Sequence, residues 1–316
     1  MQRPLRIATR KSPLALAQAE IVKAALLVAH SELAEGDIAL VPLSTKGDEI
    51  LDRSLIEAGG KGLFVKEIEQ ALIDGRADLA VHSAKDLPAE QPAGLALTAF
   101  LPREDPRDVF LSPHGTAIDD LPEGAVVGTA SLRRQAQVLA QRPDLRVVAL
   151  RGNLGTRLAK LEAGEVDATF LAFAGLRRLG KGDLADGRVM PAEIMLPAPA
   201  QGAIAIQARA DDDATGHLVA ALNHRATATC VAAERAFLAA LDGSCRTPIA
   251  ALATLDGDRL RLTGKLWQAD GSDCQTVTAS GMADRAAEIG RDAGLELLEK
   301  AGSAFFDRLQ AALGGA

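Results

Sequence analysis

The stretch LAVHSAKDLP, Leu79 to Pro88, decides how the rest of the chain is interpreted. Leu79 to Val81 are apolar and predict the end of a short buried strand. Polar or small residues follow, and Pro88 cannot continue a ladder. In an open α/β sheet, ligands bind at the rim outside the carboxyl ends of the strands. The pattern therefore predicts a binding site at this rim, although a solvated loop with a turn before the proline fits it equally well.

Asp86 and Lys85 are the side chains of this stretch that could carry chemistry. Asp86 could act as a general acid or base, or as the counter-charge of a cationic intermediate, and Lys85 could hold an anion. His82 and Asp86 could also be metal ligands, but two ligands without a third are a weak signal. We therefore expect acid–base or electrostatic chemistry here, without a metal.

The composition limits the class of protein. A chain of 316 residues is too long for one ordinary core and predicts two or three domains. Aromatic residues make up only 3% and the net charge is −7, which together argue against a nucleic-acid binder. No apolar run approaches a membrane span, and the first ten residues lead into no signal-peptide segment. The sequence therefore predicts a cytoplasmic protein that binds neither nucleic acid nor membrane.

The first hundred residues alternate strands and helices, which indicates an α/β lobe. Ser12 and Pro13 are strong helix-start residues, so Arg10 and Ser12 lie where a strand leads into a helix N-terminus, a place that favours anions. The long polar connection from Ser44 to Gly62 is typical of a lid or binding loop. The predicted elements are strands Leu5–Ala8, Ile38–Leu43, Leu79–Val81 and Leu95–Leu101, and helices Pro13–His30 and Leu63–Asp74.

A second unit with a similar order of elements follows a charged crossing from Pro102 to Asp108. From Arg133 to Lys181 there are eight Arg and two Lys against four acidic residues, a local balance of +6. The row of arginines predicts a site for a polyanion or polycarboxylate, with a solvated basic face as the alternative. The predicted strands, each followed by arginines, are Ala125–Gly128 before Arg133 and Arg134, Val147–Leu150 before Arg151 and Arg157, and Asp167–Leu171 before Arg177 and Arg178.

The remainder of the chain predicts a return to the first sheet and then a separate domain. After a second crossing, Met195 to Gly202, the strand Ala203–Gln207 is expected to rejoin the first sheet. Alternating runs from Ile249 to Ala279, joined by Asp-Gly turns, predict a three-stranded antiparallel meander. The remaining predicted helices are Asp211–Leu222, Ala226–Leu241, 282–300 and 303–313. We therefore expect one α/β lobe of residues 1–102 with 203–223, a second of 103–202, and a C-terminal α+β domain of 224–316.

Cys245 lies in the loop DGSCRTP, between a predicted helix and the meander. A thiol in a Gly/Ser loop beside Arg246 is exposed and close to positive charge, which favours a reactive thiolate. Cys230 and Cys274, in helix and strand patterns, are expected to be structural. A cysteine hydrolase would need a histidine partner; His82 is the one candidate in a convincing loop, and no oxyanion motif accompanies it.

Seven motifs together resemble the porphobilinogen deaminase family, whose members are also called hydroxymethylbilane synthases. The resemblance runs through nearly the whole chain in order, and the set is far more specific than any single motif. The motifs are RIATRKSPLA at 6–15, GGKGLF at 59–64, HSAKDLP at 82–88, REDPRD at 103–108, GTASLRR at 128–134, LRGNLGTR at 150–157 and GSCRTP at 243–248.

The resemblance implies a fold and an activity. The fold is α/β, with two periplasmic-binding-protein-like lobes, a cleft between them, and a small C-terminal α+β domain that carries the cofactor cysteine. The enzyme is a transferase of porphyrin and heme biosynthesis. It condenses four porphobilinogen molecules head to tail onto a cysteine-bound dipyrromethane primer with release of ammonia, and then hydrolytically releases hydroxymethylbilane, a linear tetrapyrrole. The resemblance also implies a monomer whose product is handed to uroporphyrinogen-III synthase.

The resemblance also assigns roles to residues by their place in the motifs. Asp86 matches the catalytic aspartate, Cys245 the cysteine that attaches the cofactor, and Phe64 with the loop before it the mobile lid. The residues matching cofactor-binding positions are Lys85, Asp86, Ser131, Arg133, Arg134, Arg157 and Cys245; those matching substrate-binding positions are Arg10, Ser12, Phe64, Arg151, Arg157 and Arg178. Pyrroles that each carry two carboxylates would explain a row of arginines, which bind carboxylates bidentately.

The departures from the family pattern are small. Ser244 and Arg246 flank the cysteine where the pattern more often has Gly and Gln, and Ala84 replaces a common Met, so no functional group is lost. Two alternative functions agree less well with the sequence. A two-lobed solute-binding protein should have a secretory signal and no need for Cys245, and an inactive homologue is opposed by the intact Asp86 and Cys245.

Overall fold

The computed structural model describes residues 4–45, 47, 65–241 and 247–314. The chain forms two compact units, Met1–Glu104 with Gly202–Ala228, and Asp105–Gln201 with Thr229–Ala316. The division into three domains stays a prediction. Among the helices of the described residues, none combines the length and the apolar character that a membrane span requires.

The elements follow the expected order, with α/β alternation first and a meander last. The strands are β1 Leu5–Arg10, β2 Ile38–Leu43, β3 Leu79–Ser83, β4 Leu95–Phe100, β5 Asp108–Leu111, β6 Val126–Gly128, β7 Arg146–Val148, β8 Ala168–Ala172, β9 Ile204–Arg209, β10 Ile249–Asp256, β11 Arg259–Trp267 and β12 Cys274–Met282. The helices are α1 Pro13–Ala29, α2 Lys66–Ile73, α3 Leu132–Gln141, α4 Leu154–Glu162, α5 Phe173–Arg178, α6 Asp213–Ala220, α7 Arg225–Ala240 and α8 Ala286–Gly314.

The first sheet has the strand order β2-β1-β3-β9-β4. Strands β1, β2 and β3 are parallel, so their carboxyl ends meet at one edge of the sheet. Helix α1 begins as predicted. The Ser12 hydroxyl accepts a hydrogen bond from the Ala15 amide, and Pro13, the first helical residue, has no N–H that would be left unpaired. Its buried residues Val22 and Leu26 pack against the strands. The helix thereby fixes the edge at which β1 and β3 end.

Strand β9 confirms the predicted return to the first sheet. It lies antiparallel between β3 and β4, although the chain has left this unit for residues 105–201 in the meantime. Five of its six residues are buried, from Ile204 to Ala208, as expected of a strand with neighbours on both sides. One of the five is Gln207, a fully buried polar residue that the alternation of the sequence did not single out.

The second sheet has the strand order β5-β8-β6-β7. Strands β6, β7 and β8 are parallel, and β5 is antiparallel to β8. The sequence did not predict β5. It assigned Asp108 to the charged crossing, yet Asp108 opens this strand and is fully buried, because two arginines neutralise its charge.

The C-terminal sheet is the predicted antiparallel meander, in the order β10-β11-β12. Gly257 has φ 56° in the turn between β10 and β11, a conformation that favours glycine. Helix α8 is interrupted at Gly302, whose φ of 68° is not helical, and this break separates the two helices expected from the sequence. The mixed α/β class and the small C-terminal α+β portion are thus confirmed.

Candidate active site

A small cavity of about 50 Å³ opens at the carboxyl edge of the first sheet, and we call it the Asp86 recess. It lies where β1 ends at Arg10, where α1 begins after Ser12, and where β3 leads into the turn that carries Asp86. Its lining consists of Arg10, Ser12, Leu14, Ala15, Gln18, Val65, Val81, His82, Ser83 and Asp86. Three predicted site residues, Arg10, Ser12 and Asp86, are therefore together, as the rim argument expected.

Asp86 is held loosely within the recess. It ends a single 3₁₀ turn, Ala84–Asp86, directly after β3. Its carboxylate lies 3.7 Å from Nη1 of Arg10, and the two side chains are 33% and 22% exposed. That distance is an ion pair but not a hydrogen bond, so the carboxylate remains accessible to a ligand. Lys85, beside it in the same turn, is half-buried.

The second unit contains a different carboxylate site, which we call the Asp108 cluster: Asp108, Arg133, Arg134 and Gln201. The two arginines open α3, and each donates an Nη2 hydrogen bond of 2.7 Å to one oxygen of Asp108. Gln201 adds a third bond at 2.9 Å. Burial alone would raise the pKa of Asp108, but the two guanidinium charges outweigh it and hold the pKa well below its usual range.

Of the other guanidinium nitrogens of the two arginines, the Nη1 atoms have hydrogen-bond partners and the Nε atoms do not. Nη1 of Arg133 donates to the Leu196 carbonyl and Nη1 of Arg134 to the Phe170 carbonyl, both at 2.7 Å. The Nε atom of each arginine is buried and has no hydrogen-bond partner among the described residues. A buried donor without an acceptor is unfavourable by about 1–3 kcal/mol. Two such donors, on residues only 5% exposed, fit an anionic ligand such as a carboxylate.

The other predicted residues of the second unit follow its parallel strands. The Ser131 hydroxyl caps α3 by accepting from the Arg134 amide, and Arg157 Nε donates to the Gly152 carbonyl at 2.9 Å. Arg151, Arg157 and Arg178 are half-buried. Because β6, β7 and β8 run parallel, the segments that carry these residues all leave the same edge of the sheet. The predicted row at one rim thus agrees with the topology.

Two predicted residues, Cys245 and Phe64, lie outside the described residues, as does most of the proposed lid loop. The two other cysteines are described. Cys230 is buried in α7, and Cys274, at the start of β12, is exposed. Although the residue is exposed as a whole, partial desolvation of its thiol raises the pKa of Cys274, which makes it a poor nucleophile.

Several polar residues that organise the two sites were not predicted from the sequence. Asp108 was assigned to a crossing, and Gln201, Gln207 and Glu69 were not considered. All four are at most 6% exposed. A weak signal was available for Asp108, since it directly precedes the apolar run Val109 to Leu111. The glutamines gave none, because periodicity cannot distinguish Gln207, an amide in an apolar strand, from a surface residue, and Gln201 lies in a turn outside any strand.

Comparison with known proteins gives a consistent result. Residues 5–217 match the family described as "Porphobilinogen deaminase, dipyromethane cofactor binding domain", and residues 228–299 match "Porphobilinogen deaminase, C-terminal domain". The chain is 54% identical over 306 residues to the porphobilinogen deaminase of Paracoccus denitrificans, which covers 97% of both chains. It is 53% identical over 300 residues to that of Nitrobacter winogradskyi, which covers 95% of this chain and 94% of the relative.

Similarity to solved structures is weaker. The periplasmic aliphatic sulphonate binding protein SsuA from Escherichia coli aligns with a TM-score of 0.41 and 17% identity, over 76% of this chain and 71% of the other. A lipoprotein of the YaeC family from Enterococcus faecalis aligns with a TM-score of 0.41 and 13% identity, over 70% and 92%.

Proposed function

Because the chain belongs to the porphobilinogen deaminase family, we propose which of its side chains carry the family's reaction. The activity is that of hydroxymethylbilane synthase, a transferase of tetrapyrrole biosynthesis that uses a dipyrromethane cofactor. Four porphobilinogen molecules are condensed head to tail with loss of ammonia, and the linear tetrapyrrole is released by hydrolysis. Asp86 is the catalytic residue, Cys245 attaches the cofactor, and the arginines bind carboxylates.

The observation that carries the assignment of the arginines is the pair of unpartnered Nε atoms on Arg133 and Arg134. Their Nη atoms are held by Asp108 and by backbone carbonyls, so each guanidinium is fixed in place with its Nε–H still available. A fixed donor loses little entropy when a carboxylate binds. Together with Lys85, Asp86, Ser131 and Arg157, these arginines would hold the carboxylates of the cofactor. When bound, the cofactor supplies the pyrrole carbon to which substrate is joined.

Asp86 is suited to act on the substrate because a short turn fixes its backbone while its side chain remains one-third exposed. When ammonia leaves porphobilinogen, positive charge develops on the methylene carbon and is shared with the pyrrole ring. A nearby carboxylate stabilises that charge and can accept a hydrogen bond from the ring N–H. Arg10 lies beside Asp86 at 3.7 Å and, with Ser12, Arg151, Arg157 and Arg178, would bind the acetate and propionate groups of the substrate.

We further propose a cytoplasmic monomer whose product passes to uroporphyrinogen-III synthase. What supports the compartment is the biosynthetic activity of the relatives. The proposed role of Phe64 and of the loop before it as a lid is supported by the GGKGLF motif.

The direct test is the intact mass of the purified protein under denaturing conditions. The wild-type mass should exceed that of the polypeptide by one dipyrromethane. Cys245→Ser should have the bare mass and no activity, whereas the matched controls Cys230→Ala and Cys274→Ala should keep the adduct. A Cys245→Ser protein that still carried the adduct would contradict the attachment site.

A further inference from the structure

A buried chain of hydrogen bonds lies directly behind the wall of the Asp86 recess. His82, one of the lining residues, has Nε2 at 3.1 Å from Oε1 of Gln207. Nε2 of Gln207 in turn lies 2.8 Å from Oε1 of Gln91 and 3.2 Å from Oε1 of Glu69. His82 is only 5% exposed and Gln207 is fully buried. The three residues around Gln207 therefore determine how its amide is oriented.

The orientation of the Gln207 amide follows from its neighbours. The Gln91 amide nitrogen donates to the Pro88 carbonyl at 3.1 Å, so it is Oε1 of Gln91 that faces Gln207. Glu69 also presents an oxygen. Only the NH₂ group of Gln207 can face two acceptors, which leaves its Oε1 for His82. The hydrogen of that bond must come from His82, and Nε2 is therefore the protonated ring nitrogen.

His82 is neutral in this environment. Burial lowers the pKa of His82 to about 4; the hydrogen bond with Gln207 opposes this shift and the charge of Arg10 reinforces it. The charged groups around the ring are Arg10 at the end of β1, Asp86 in the turn after β3, and Glu69 on α2 through Gln207. A neutral ring protonated on Nε2 carries a lone pair on Nδ1, and no described residue forms a hydrogen bond with that atom.

We propose that His82 accepts a hydrogen bond on Nδ1 from the aminomethyl nitrogen of the substrate, beside the catalytic carboxylate of Asp86. This role rests on the proposed function and adds a specificity-determining residue to it. The recess of about 50 Å³ has room for a few water-sized groups, which suits an aminomethyl arm rather than a chain of pyrroles. The cations of the site attract the carboxylates of the substrate. The recess, in contrast, offers the ammonium group of the substrate the carboxylate of Asp86 and Nδ1 of His82.

The chemical step needs no proton from His82. The C–N bond of the protonated aminomethyl group breaks, its electron pair leaves with nitrogen, and ammonia departs with all three hydrogens. Positive charge remains on the methylene carbon, where Asp86 compensates it. A neutral acceptor holds the ammonium group in place without the strong stabilisation that a second carboxylate would give, so it orients the leaving group for departure. His82 accordingly acts on substrate binding and Asp86 on turnover.

The first test is the tautomer itself, which does not depend on the proposed function. Nitrogen NMR of the ¹⁵N-histidine-labelled holoenzyme at pH 7 should show a protonated Nε2 and a bare Nδ1 for His82, assigned by its absence in His82→Gln. A protonated Nδ1 or a doubly protonated ring would overturn the proposal. Should the wild type release no ammonia from porphobilinogen, the proposed function would fail while this result stood.

The second test compares a substitution that keeps the hydrogen-bond donor to Gln207 with one that keeps an acceptor near the position of Nδ1. His82→Gln can still donate to Gln207 but has no acceptor at the δ position, and its KM should rise about 10- to 100-fold, as expected for one hydrogen bond from a charged group. His82→Asn keeps an acceptor near the position of Nδ1 and should lose much less. Both variants are checked for cofactor by mass. Equal KM values for wild type and a loaded His82→Gln would overturn the proposal.

The third test identifies the donor. A porphobilinogen analogue with a methyl group in place of the aminomethyl group should inhibit wild type and His82→Gln with the same inhibition constant. If the constant rises in the variant, the pyrrole N–H is the donor and the assignment to the aminomethyl nitrogen is wrong.

Discussion

The Asp86 recess and the Asp108 cluster each pair a carboxylate with arginine, and they hold it in opposite ways. Asp86 lies 3.7 Å from one guanidinium and is one-third exposed. Asp108 is fully buried and takes 2.7 Å hydrogen bonds from two. The first arrangement leaves the carboxylate of Asp86 available for a reaction. In the second, the carboxylate of Asp108 holds two guanidinium groups in place. A carboxylate that must act on substrate cannot also be a structural anchor, so the protein uses two.

The largest effect should come from removing the available charge. Asp86→Asn keeps the shape of the side chain but loses charge and basicity, and kcat should fall by about 100- to 10,000-fold with little change in KM. Asp86→Glu keeps both but displaces the carboxylate, and a misplacement near 1 Å can lower the rate about 100-fold. Steady-state kinetics on both variants, each checked by mass for cofactor, measures the difference. A variant Asp86→Asn that kept its turnover and lost only affinity would assign Asp86 to binding.

The next effect should be on stability rather than on chemistry. Asp108→Asn leaves two buried guanidinium charges without their partner, and breaking a buried pair in this way lowers the free energy of unfolding by about 3–5 kcal/mol. We expect a lower urea midpoint and incomplete loading with cofactor, because Arg133 and Arg134 are no longer fixed.

The matched control for this variant is Asp144→Asn. Asp144 also pairs with an arginine at 2.7 Å, but Arg142 and Asp144 lie at the surface of the same unit, where solvent screens the pair. Its urea midpoint should stay close to that of wild type. Equal shifts for the two variants would show that burial of the Asp108 cluster does not determine its contribution.

The smallest effect is the acid dependence of stability. The folded pKa of Asp108 is held below the unfolded value of about 3.9, so its contribution is complete above that pH and is lost as the pH falls towards the folded pKa. One group of this kind adds up to about 1.4 kcal/mol per pH unit to the loss. Asp105 and Asp167 have lowered pKa values as well, so the free energy of unfolding of wild type and of Asp108→Asn falls in acid. The wild type should weaken more steeply than Asp108→Asn below pH 4, and parallel curves would contradict the assignment.

Much of the fold could be predicted because short-range signals and tertiary packing agree. Ser12 and Pro13 fixed the start of α1, and the Asp-Gly turns fixed the meander. Strand β5 was not predicted because it has only three apolar residues and begins with a charged one. Periodicity treats a buried aspartate as exposed, since what permits its burial is a pair of arginines some 25 residues away in the sequence.

The candidate site, too, could be predicted from the sequence only in part. Arg10, Ser12 and Asp86 could be placed together because the ends of parallel strands share an edge. The sequence could not show that Arg133 and Arg134 share one carboxylate, nor that their Nε atoms remain available. The protonation of His82 depends on Gln207, Gln91 and Glu69, three residues from separate elements, and only their distances reveal it.

The position of β9 has a consequence for the order in which the protein folds during synthesis. β9 lies between β3 and β4, yet it leaves the ribosome only after residues 101–203 have been made. Until then β3 and β4 have no partner on their facing edges, and apolar strands in that condition are prone to aggregate. Pairing across so large a sequence separation is intrinsically slow. All four strands of the second sheet lie within residues 105–201, so that sheet can form first, and the first sheet is completed after it.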